Sequence, residues 1–397
     1  MTQASRGRIP RTVWVLGVVS LFMDMSSELV HSVLPVYLTS VLGLSVLAVG
    51  IIEGVAEATA SMLKVVSGFL SDRFAKRKSL ALLGYGLAVL TKPIFPLAES
   101  AFGVVAARFV DRVGKGIRGA PRDSIVADVT PADLLDEAYG LRQSLDTFGA
   151  FMGPMLAMLF LWLWSGDLRM VLWVAVAPAC VAVALLAFGV PEPTTHAATR
   201  SSTAIQFAAM RRLPRAFWRL IGLTALFSLA RLSEAFLVLR AQEMHLTLFW
   251  IPTVMIVMSA VYSLASYPAG LLGSRFGKPA VLGASIIALI AAQVALAWVP
   301  GTPGLWIGVS LWGLHMGLSQ GGLSAAVAEL APPEMRATCF GIFHFVTGLF
   351  QLASGALAGW LWTQHGSSSA FLSGACWASL ALLALALATA RRKRTES

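Results

Sequence analysis

Three ionisable side chains repeat at helical spacing inside the first apolar stretch of the chain. Asp24, Glu28 and His31 stand at positions i, i+4 and i+7, which places them on one face of a helix. In the second apolar stretch, Glu53, Glu57 and Lys64 stand at positions i, i+4 and i+11 and likewise share one helix face. A charged residue at the centre of a membrane helix costs about 2.5 to 3.5 kcal/mol even on a lenient scale. Both faces are therefore expected to turn away from lipid.

Proton binding is the chemistry that such groups offer. A carboxylate in a poorly solvated cavity binds a proton more readily, and a nearby guanidinium opposes this effect. Glu28 and Glu57, near the estimated middle of the membrane, are the first candidates for proton coupling. The further candidates are Asp24, Glu53, Asp111 and Arg108, with His31 as a helper that lines the cavity. The alternative, that these residues form permanent ion pairs between helices, stays open.

The other embedded charges lie mainly in the N-terminal half. The remaining acids are Asp111, Asp146 and Glu234, and the remaining bases are Lys92, Arg108, Arg112, Lys115, Arg142, Arg231 and Arg240. The embedded acids and bases are nearly equal in number, so ion pairs between them are expected. Any proton coupling is expected to reside in the N-terminal half, where most of these groups lie.

These residues can be positioned only by helices that cross a membrane. Of the 397 residues, 57% are hydrophobic and 13% are charged, and the mean hydropathy is +0.75. A soluble domain carries roughly 25% charged residues, so soluble and disordered classes are excluded. Stretches of about 20 apolar residues, enough to cross a bilayer, lie at 13–40, 46–70, 79–98, 101–121, 138–163, 170–190, 217–240, 247–271, 280–299, 304–329, 338–362 and 369–390. The sequence predicts an all-α integral membrane protein with twelve transmembrane helices.

The positions of Lys and Arg predict the orientation in the membrane. Clusters at 6–11, 73–78, 211–219 and 391–394 all fall on one side if the spans alternate in direction. Cytoplasmic loops are enriched in these residues, so both termini are predicted to lie in the cytoplasm, with the chain in a bacterial inner membrane. The net charge of +10 is spread over these loops, so no nucleic-acid partner is expected.

A polar stretch divides the chain into two similar halves. Residues 191–216 form a predicted cytoplasmic loop between an N-terminal six-helix bundle (1–190) and a C-terminal six-helix bundle with a basic tail (217–397). A local pattern after the second span, from Gly68 to Arg77, recurs after the eighth span, from Gly270 to Lys278. Two parallel six-helix halves with a substrate near the midplane are typical of transporters.

The repeated pattern resembles the loop signature of the major facilitator superfamily, Gly-x-x-x-Asp-Arg-x-Gly-Arg-Arg/Lys. The matching residues are Gly68, Asp72, Arg73, Lys76 and Arg77, with Ala75 in place of the second glycine. The resemblance covers nearly the whole chain and implies a fold of two pseudo-symmetric bundles that work by alternating access. It also implies that this loop gates the transporter, with Asp72 holding a cation of the fourth helix; Arg112 is the candidate.

Two further family signatures are matched in part. Arg108 to Gly114 resembles the fourth-helix signature, with Asp111 in place of a glutamine and Arg112 in place of a glycine. The resemblance implies a role for Arg108 in proton movement, while Asp111 either titrates itself or neutralises Arg108. A third pattern, Gly149, Gly153 and Pro154, resembles the fifth-helix signature of antiporters and favours export. Small residues four apart also let helices pack closely, so a purely structural reading stays open.

Polar residues of the C-terminal half are candidates for contact with the substrate. These are Arg231, Glu234, His315 and Gln320. No enzyme is expected, because no catalytic constellation lies at one depth and Gly114-Lys115-Gly116 lacks the rest of a phosphate loop. No cofactor or resident metal is expected either, since no tight set of ligands appears.

The sequence predicts a monomeric transporter that exports a small organic compound in exchange for protons across the lipid bilayer. The alternative is proton-coupled uptake of a small anionic metabolite or metal chelate, which Arg108, Arg112 and Arg231 favour if they face the cavity. A non-transporting membrane receptor or scaffold is the alternative from a different class.

Overall fold

The computed structural model describes residues 8–74, 76–131, 134–191, 213–319, 322–332 and 335–396. These residues contain sixteen α-helices. The first eight are α1 (Arg11–Val36), α2 (Val46–Phe74), α3 (Arg77–Thr91), α4 (Ile94–Leu97), α5 (Ala101–Val129), α6 (Leu135–Leu163), α7 (Leu168–Val174) and α8 (Val176–Gly189). The others are α9 (Arg215–Ala230), α10 (Ala235–Glu243), α11 (Thr253–Phe276), α12 (Lys278–Trp298), α13 (Gly301–Ser319), α14 (Gly322–Leu330), α15 (Arg336–His365) and α16 (Ser367–Glu396).

The predicted all-helical membrane fold is confirmed. Ten segments of the described residues are long and apolar enough to cross a membrane. Two further predicted spans are helical but fall outside these ten, namely α5, and α13 followed by α14. α5 carries many charges along its length, which lowers its hydrophobicity.

Some spans consist of two helical pieces. α3 and α4 are separated at Lys92 and Pro93, and proline cannot donate a hydrogen bond to the preceding turn. α9 and α10 are separated by residues 231–234, which contain no proline. Irregular backbone at membrane depth is tolerated where other protein groups form hydrogen bonds with its free N–H and C=O groups. The second break therefore depends on side chains from other helices.

The chain divides into two compact units. The first unit comprises Met1–Val30 and Leu63–Ser201, and the second comprises His31–Met62 and Ser202–Ser397. The boundary between the units falls within α1 and within α2. Most of the predicted linker, residues 192–212, lies outside the described residues.

Each unit has its own apolar core. In the first unit the core joins α1, α3, α5 and α8 through buried residues such as Leu16, Tyr85, Ile125 and Leu186. In the second unit a core joins α9, α14 and α15 through Phe217, Val327 and Phe343. These cores fix the helices that carry the buried charges described below.

Candidate functional site

Two acidic side chains of the first unit are in direct contact. Asp24 of α1 and Asp146 of α6 lie within reach of a side-chain hydrogen bond. An ionised carboxylate only accepts hydrogen bonds, so such a bond forms only when one of the two groups carries a proton. We call these two residues the carboxyl pair. Asp24 was a sequence candidate for proton coupling, whereas Asp146 was recognised only as an embedded acid.

Two arginines flank the carboxyl pair. Arg122 Nη1 lies 3.5 Å from Asp146 Oδ1 and donates to Ser20 Oγ at 2.9 Å. Arg142 Nη1 lies 3.8 Å from the same carboxylate oxygen. A proton shared by the pair would therefore lie beside two permanent positive charges. A change in the distance to these cations alters how readily the proton leaves.

Glycines of α6 bring α1 close to the carboxyl pair. A Cβ atom on Gly149 would overlap the carbonyl oxygen of Leu21, and one on Gly153 would lie 2.6 Å from the carbonyl oxygen of Met25. Pro154 follows within the same helix. The partial antiporter signature thus lies against the helix that carries Asp24.

A second acidic group, Asp111 of α5, lies in a buried ion pair. Its Oδ1 atom is 3.0 Å from Lys92 Nζ, and its Oδ2 atom is 3.7 Å from Arg112 Nε. Asp111 is 2% exposed and Lys92 is 1% exposed, and the ammonium also donates to Ser27 Oγ at 3.4 Å. The geometry favours a neutralised structural pair over a titrating acid. Sequence reasoning did not single out Lys92, although a lysine before a proline in an apolar stretch was a signal.

The other N-terminal candidates for proton coupling lie on α1, α2 and α5. Arg108 of α5 is fully buried, and Glu28 of α1 and Glu57 of α2 are half-buried. All three have further interactions within the protein.

In the second unit, an imidazole lies between two carboxylates. His31 Nε2 is 3.8 Å from Glu53 Oε2, and His31 Nδ1 is 4.0 Å from Glu234 Oε2. Arg231 Nη2 lies 3.6 Å from Glu234 Oε1. Glu53 and His31 are buried, whereas Glu234 and Arg231 are partly exposed. We call these four residues the His31 cluster; it joins α1, α2 and the break after α9.

The break between α9 and α10 is held by two buried side chains. Gln293 Nε2 of α12 donates to the carbonyl oxygen of Ala230 at 2.8 Å, and Ser354 Oγ of α15 donates to that of Arg231 at 3.4 Å. The break places Arg231 and Glu234 outside regular helix. Sequence reasoning missed both supporting residues; a single glutamine within the apolar α12 was the available signal.

Glycines also allow a close contact between α2 and α15, which we call the α2–α15 contact. A Cβ atom on Gly50 would overlap the carbonyl oxygen of Gly355, and one on Gly54 would lie 2.9 Å from Leu352 Cα. In the same unit, Thr39 Oγ1 donates a hydrogen bond to Gln242 Oε1 of α10 at 3.1 Å. Membrane helices associate in this way where small residues let their backbones approach.

At the opposite end of α2, an ion pair joins the start of α3 to the end of α5. Arg77 Nη1 pairs with Asp128 Oδ2 and also donates to the carbonyl oxygen of Ser124 at 3.3 Å. Lys278, the first residue of α12, pairs with Glu329 of α14. The two residues of each pair are 51 positions apart. This correspondence supports the internal repeat. Sequence reasoning missed Asp128 and Glu329.

Part of the predicted gating loop lies outside the described residues. The side chains of Asp72 and Arg73 lie outside the described residues, Lys76 is exposed, and Gly68 faces Ala120. Arg112, the predicted partner of Asp72, lies beside Asp111.

His315 and Gln320 of the C-terminal half were both predicted to contact the substrate. His315 is fully buried, and its Nδ1 lies 2.9 Å from Ser285 Oγ while its ring packs against Phe227. In this conformation it is a packing residue of the second unit. Gln320 lies outside the described residues.

Comparison with known proteins gives the relatives of the chain. The sequence profile of the Major Facilitator Superfamily matches residues 16–349 and 235–397. An uncharacterized MFS-type transporter of Methanocaldococcus jannaschii is 30% identical over 92% of this chain and 94% of its own length. The inner membrane transport protein YajR of Escherichia coli is 23% identical over 93% of this chain and 81% of its own length.

Solved structures show the same fold. The nucleoside transporter NupG superposes with a TM-score of 0.77 at 15% identity, over 95% of this chain and 99% of its own. A POT family transporter in complex with 5-aminolevulinic acid gives a TM-score of 0.80 at 16% identity, over 98% of this chain and 97% of its own.

Proposed function

The chain belongs to the Major Facilitator Superfamily of membrane transporters, and from this premise we propose that it exports a small organic compound in exchange for protons. It is a multi-pass membrane transporter and not an enzyme. We propose a location in the inner membrane with both termini in the cytoplasm, as the charge distribution and the relative YajR favour. The observation that carries the proposal is the hydrogen-bonded carboxyl pair of Asp24 and Asp146.

The carboxyl pair supports proton coupling because two adjacent carboxylates cannot both ionise without repulsion. While one proton is shared, the pair links α1 to α6. When the proton leaves, the two acids repel each other, and Asp146 stays paired with Arg122 and Arg142. The shared proton thus ties α1 and α6 together in one state and separates them in the other.

α1 is also the route by which this change reaches the His31 cluster. Asp24 and His31 lie seven residues apart on one face of the same helix. A ligand shifts a conformational equilibrium only by its different affinity for the two states. Proton binding at Asp24 and substrate binding near Arg231 and Glu234 would both act on α1, which supports coupling between them.

Alternating access requires the α2–α15 contact to open and close. On the predicted orientation this contact and the Thr39–Gln242 hydrogen bond lie on the outer side of the membrane. Its opening would release substrate outward. The antiporter-like glycines of α6, packed against α1 beside Asp24, favour export as the direction.

The test is proton movement in proteoliposomes that contain a trapped pH dye and no initial gradient. Candidate compounds from several chemical classes are added outside. We expect alkalinisation inside, because entry of the compound drives protons out by exchange. Acidification inside would contradict export, since compound and proton would then travel together.

Uptake of a small anionic metabolite or metal chelate is a second candidate, because buried cations exceed buried acids in the first unit. The fully buried cations there are Lys92, Arg108, Arg112, Arg118 and Arg142, against Asp111 as the equally buried acid among the described residues. Acidification by anionic compounds alone would support this candidate. A receptor or scaffold of this fold would move neither protons nor radiolabelled compound.

A further inference from the structure

Arg118 of α5 is a buried cation that lacks an ion pair. It is 4% exposed, and within the described part of the chain no carboxylate oxygen lies within 4 Å of its guanidinium. Its Nη1 atom is buried and has no hydrogen-bond partner there. The guanidinium carbon lies 5.0 Å from the centre of the Tyr85 ring. Stacking on a ring lowers the cost of burying this cation but does not neutralise it.

Tyr85 of α3 supplies a second unsatisfied group at the same place. The residue is fully buried, and its hydroxyl likewise has no hydrogen-bond partner among the described residues. A buried donor without a partner has lost its hydrogen bonds to water without replacement. Two such groups on residues that contact each other indicate a ligand or a water molecule that accepts hydrogen bonds from both.

A close crossing of α3 and α5 builds this site. A Cβ atom on Gly84 would lie 2.7 Å from the backbone nitrogen of Arg118, and one on Gly114 would overlap the carbonyl oxygen of Gly84. The contact fixes Tyr85, the neighbour of Gly84, beside Arg118. The two donors are held by backbone packing and not by flexible loops.

The acids around the site act on Arg118 only from beyond ion-pair distance. Asp24 and Asp111 both interact electrostatically with its guanidinium, but neither forms an ion pair with it. Asp111 forms ion pairs with Lys92 and Arg112. Asp146 forms ion pairs with Arg122 and Arg142. Asp24 shares a hydrogen bond with Asp146. Lys115 adds a further positive charge in the same region. A water molecule would satisfy the hydrogen bonds but would leave a buried positive charge, which is costly.

We propose that Arg118 and Tyr85 form a binding site for a small inorganic anion such as chloride. The anion accepts hydrogen bonds from the Arg118 guanidinium and the Tyr85 hydroxyl and neutralises the buried cation. It is a resident ligand of the first unit, distinct from the transported compound and from the carboxyl pair.

Thermal unfolding of the purified full-length protein in detergent tests this site. Sodium gluconate is replaced by sodium chloride at constant ionic strength. We expect Tm to rise and saturate with chloride, because a ligand that binds only the folded state stabilises it. Tyr85→Phe keeps the ring under Arg118 and removes only the hydroxyl. It should raise the half-saturating chloride concentration at least about tenfold, the effect of one lost hydrogen bond to a charged group.

Arg118→Gln should abolish the chloride response, while Arg169→Gln, which removes an exposed cation, should keep it in full. The site is refuted if Tm of the unchanged protein does not respond to chloride, nitrate or phosphate, as expected for a bound water. An equal chloride response in Tyr85→Phe and the unchanged protein would also overturn it. The measurement needs no transported compound, so its outcome is independent of the exporter proposal.

Discussion

At the scale of single residues, the central feature is which embedded acids lie against another acid and which are neutralised by cations. Asp111 lies between Lys92 and Arg112, whereas Asp24 and Asp146 contact each other. The same residue type therefore serves two purposes, set by its neighbours. Spacing along one helix placed Asp24 on an interior face, but could not show that its partner is an acid.

Replacing either member of the carboxyl pair should uncouple proton movement. Asp24→Asn and Asp146→Asn keep a hydrogen-bonding side chain but remove the transferable proton, so we expect proton flux to fall to background while substrate exchange without a gradient persists. The trapped-dye assay and radiolabelled counterflow measure the two quantities. Glu99→Gln, at an exposed loop acid, is the matched control.

Unchanged proton flux in both asparagine variants would contradict the assignment. Glu28 and Glu57, the acids that the sequence placed first, would then be the remaining candidates. Glu57→Gln in the same assay tests the sequence-based prediction that loss of this acid abolishes proton-coupled flux.

Removal of Lys92 should destabilise the protein. Lys92→Met leaves Asp111 buried with one cation fewer, and breaking a buried pair costs about 3 to 5 kcal/mol. We expect a large fall in Tm for Lys92→Met and a smaller fall for Lys92→Met combined with Asp111→Asn. Lys76→Met, at an exposed lysine, should leave Tm nearly unchanged. A double variant less stable than Lys92→Met would show that the pair is not the cause.

At the scale of helices, close approach and broken backbone determine what can move. α2 and α15 meet through glycines, and α9 ends at a break that Gln293 and Ser354 hold. A contact of this kind is made of backbone atoms, so one added side chain is enough to prevent it.

Gly355→Val should prevent closure of the α2–α15 contact. Its Cβ would overlap the carbonyl oxygen of Gly50. We expect a cysteine introduced at the half-buried Thr39 to react several-fold faster with a membrane-impermeant maleimide in this variant than in the Thr39→Cys protein alone. Gly86→Val is the control, because a Cβ there meets no atom within 4 Å. Equal labelling in all three proteins would exclude a role of this contact in access.

The ion pair between α3 and α5 should affect the rate of switching between states. Asp128→Asn removes the partner of Arg77, so we expect slower transport with the same range of transported compounds. For Asp72→Asn we also expect slower transport with the same range of transported compounds, because the family signature places Asp72 in the gating loop. The exchanged pair Arg77→Asp with Asp128→Arg should restore part of the rate. An altered substrate range in these variants would contradict a gating role.

At the scale of the whole molecule, membership of the family identifies a transporter but does not choose the substrate. The solved structures with this fold include a nucleoside transporter and a POT family transporter, and one fold hosts many functions. Substrate choice is therefore expected to depend on the side chains around Arg231 and Glu234.

Transport should stop when the Thr39–Gln242 contact is fixed covalently. Thr39→Cys with Gln242→Cys, in a background without Cys180, Cys339 and Cys376, allows bridging by a short bifunctional thiol reagent. We expect transport to fall to background after bridging and to recover on reduction, since alternating access requires this contact to open. Each single-cysteine protein treated alike is the control. Full transport in the bridged protein would contradict the proposed motion.

The sequence by itself determined the membrane class, the helical character of the spans and the helix faces on which charges lie, because these follow from composition and from local periodicity. Only the tertiary structure decided that Asp24 meets Asp146, that Lys92 pairs with Asp111, and that His31 lies between Glu53 and Glu234. These partners lie on different helices, up to about two hundred positions apart in the chain. Helical spacing fixes the direction of a side chain around its own axis, whereas the packing of one helix on another fixes what it meets.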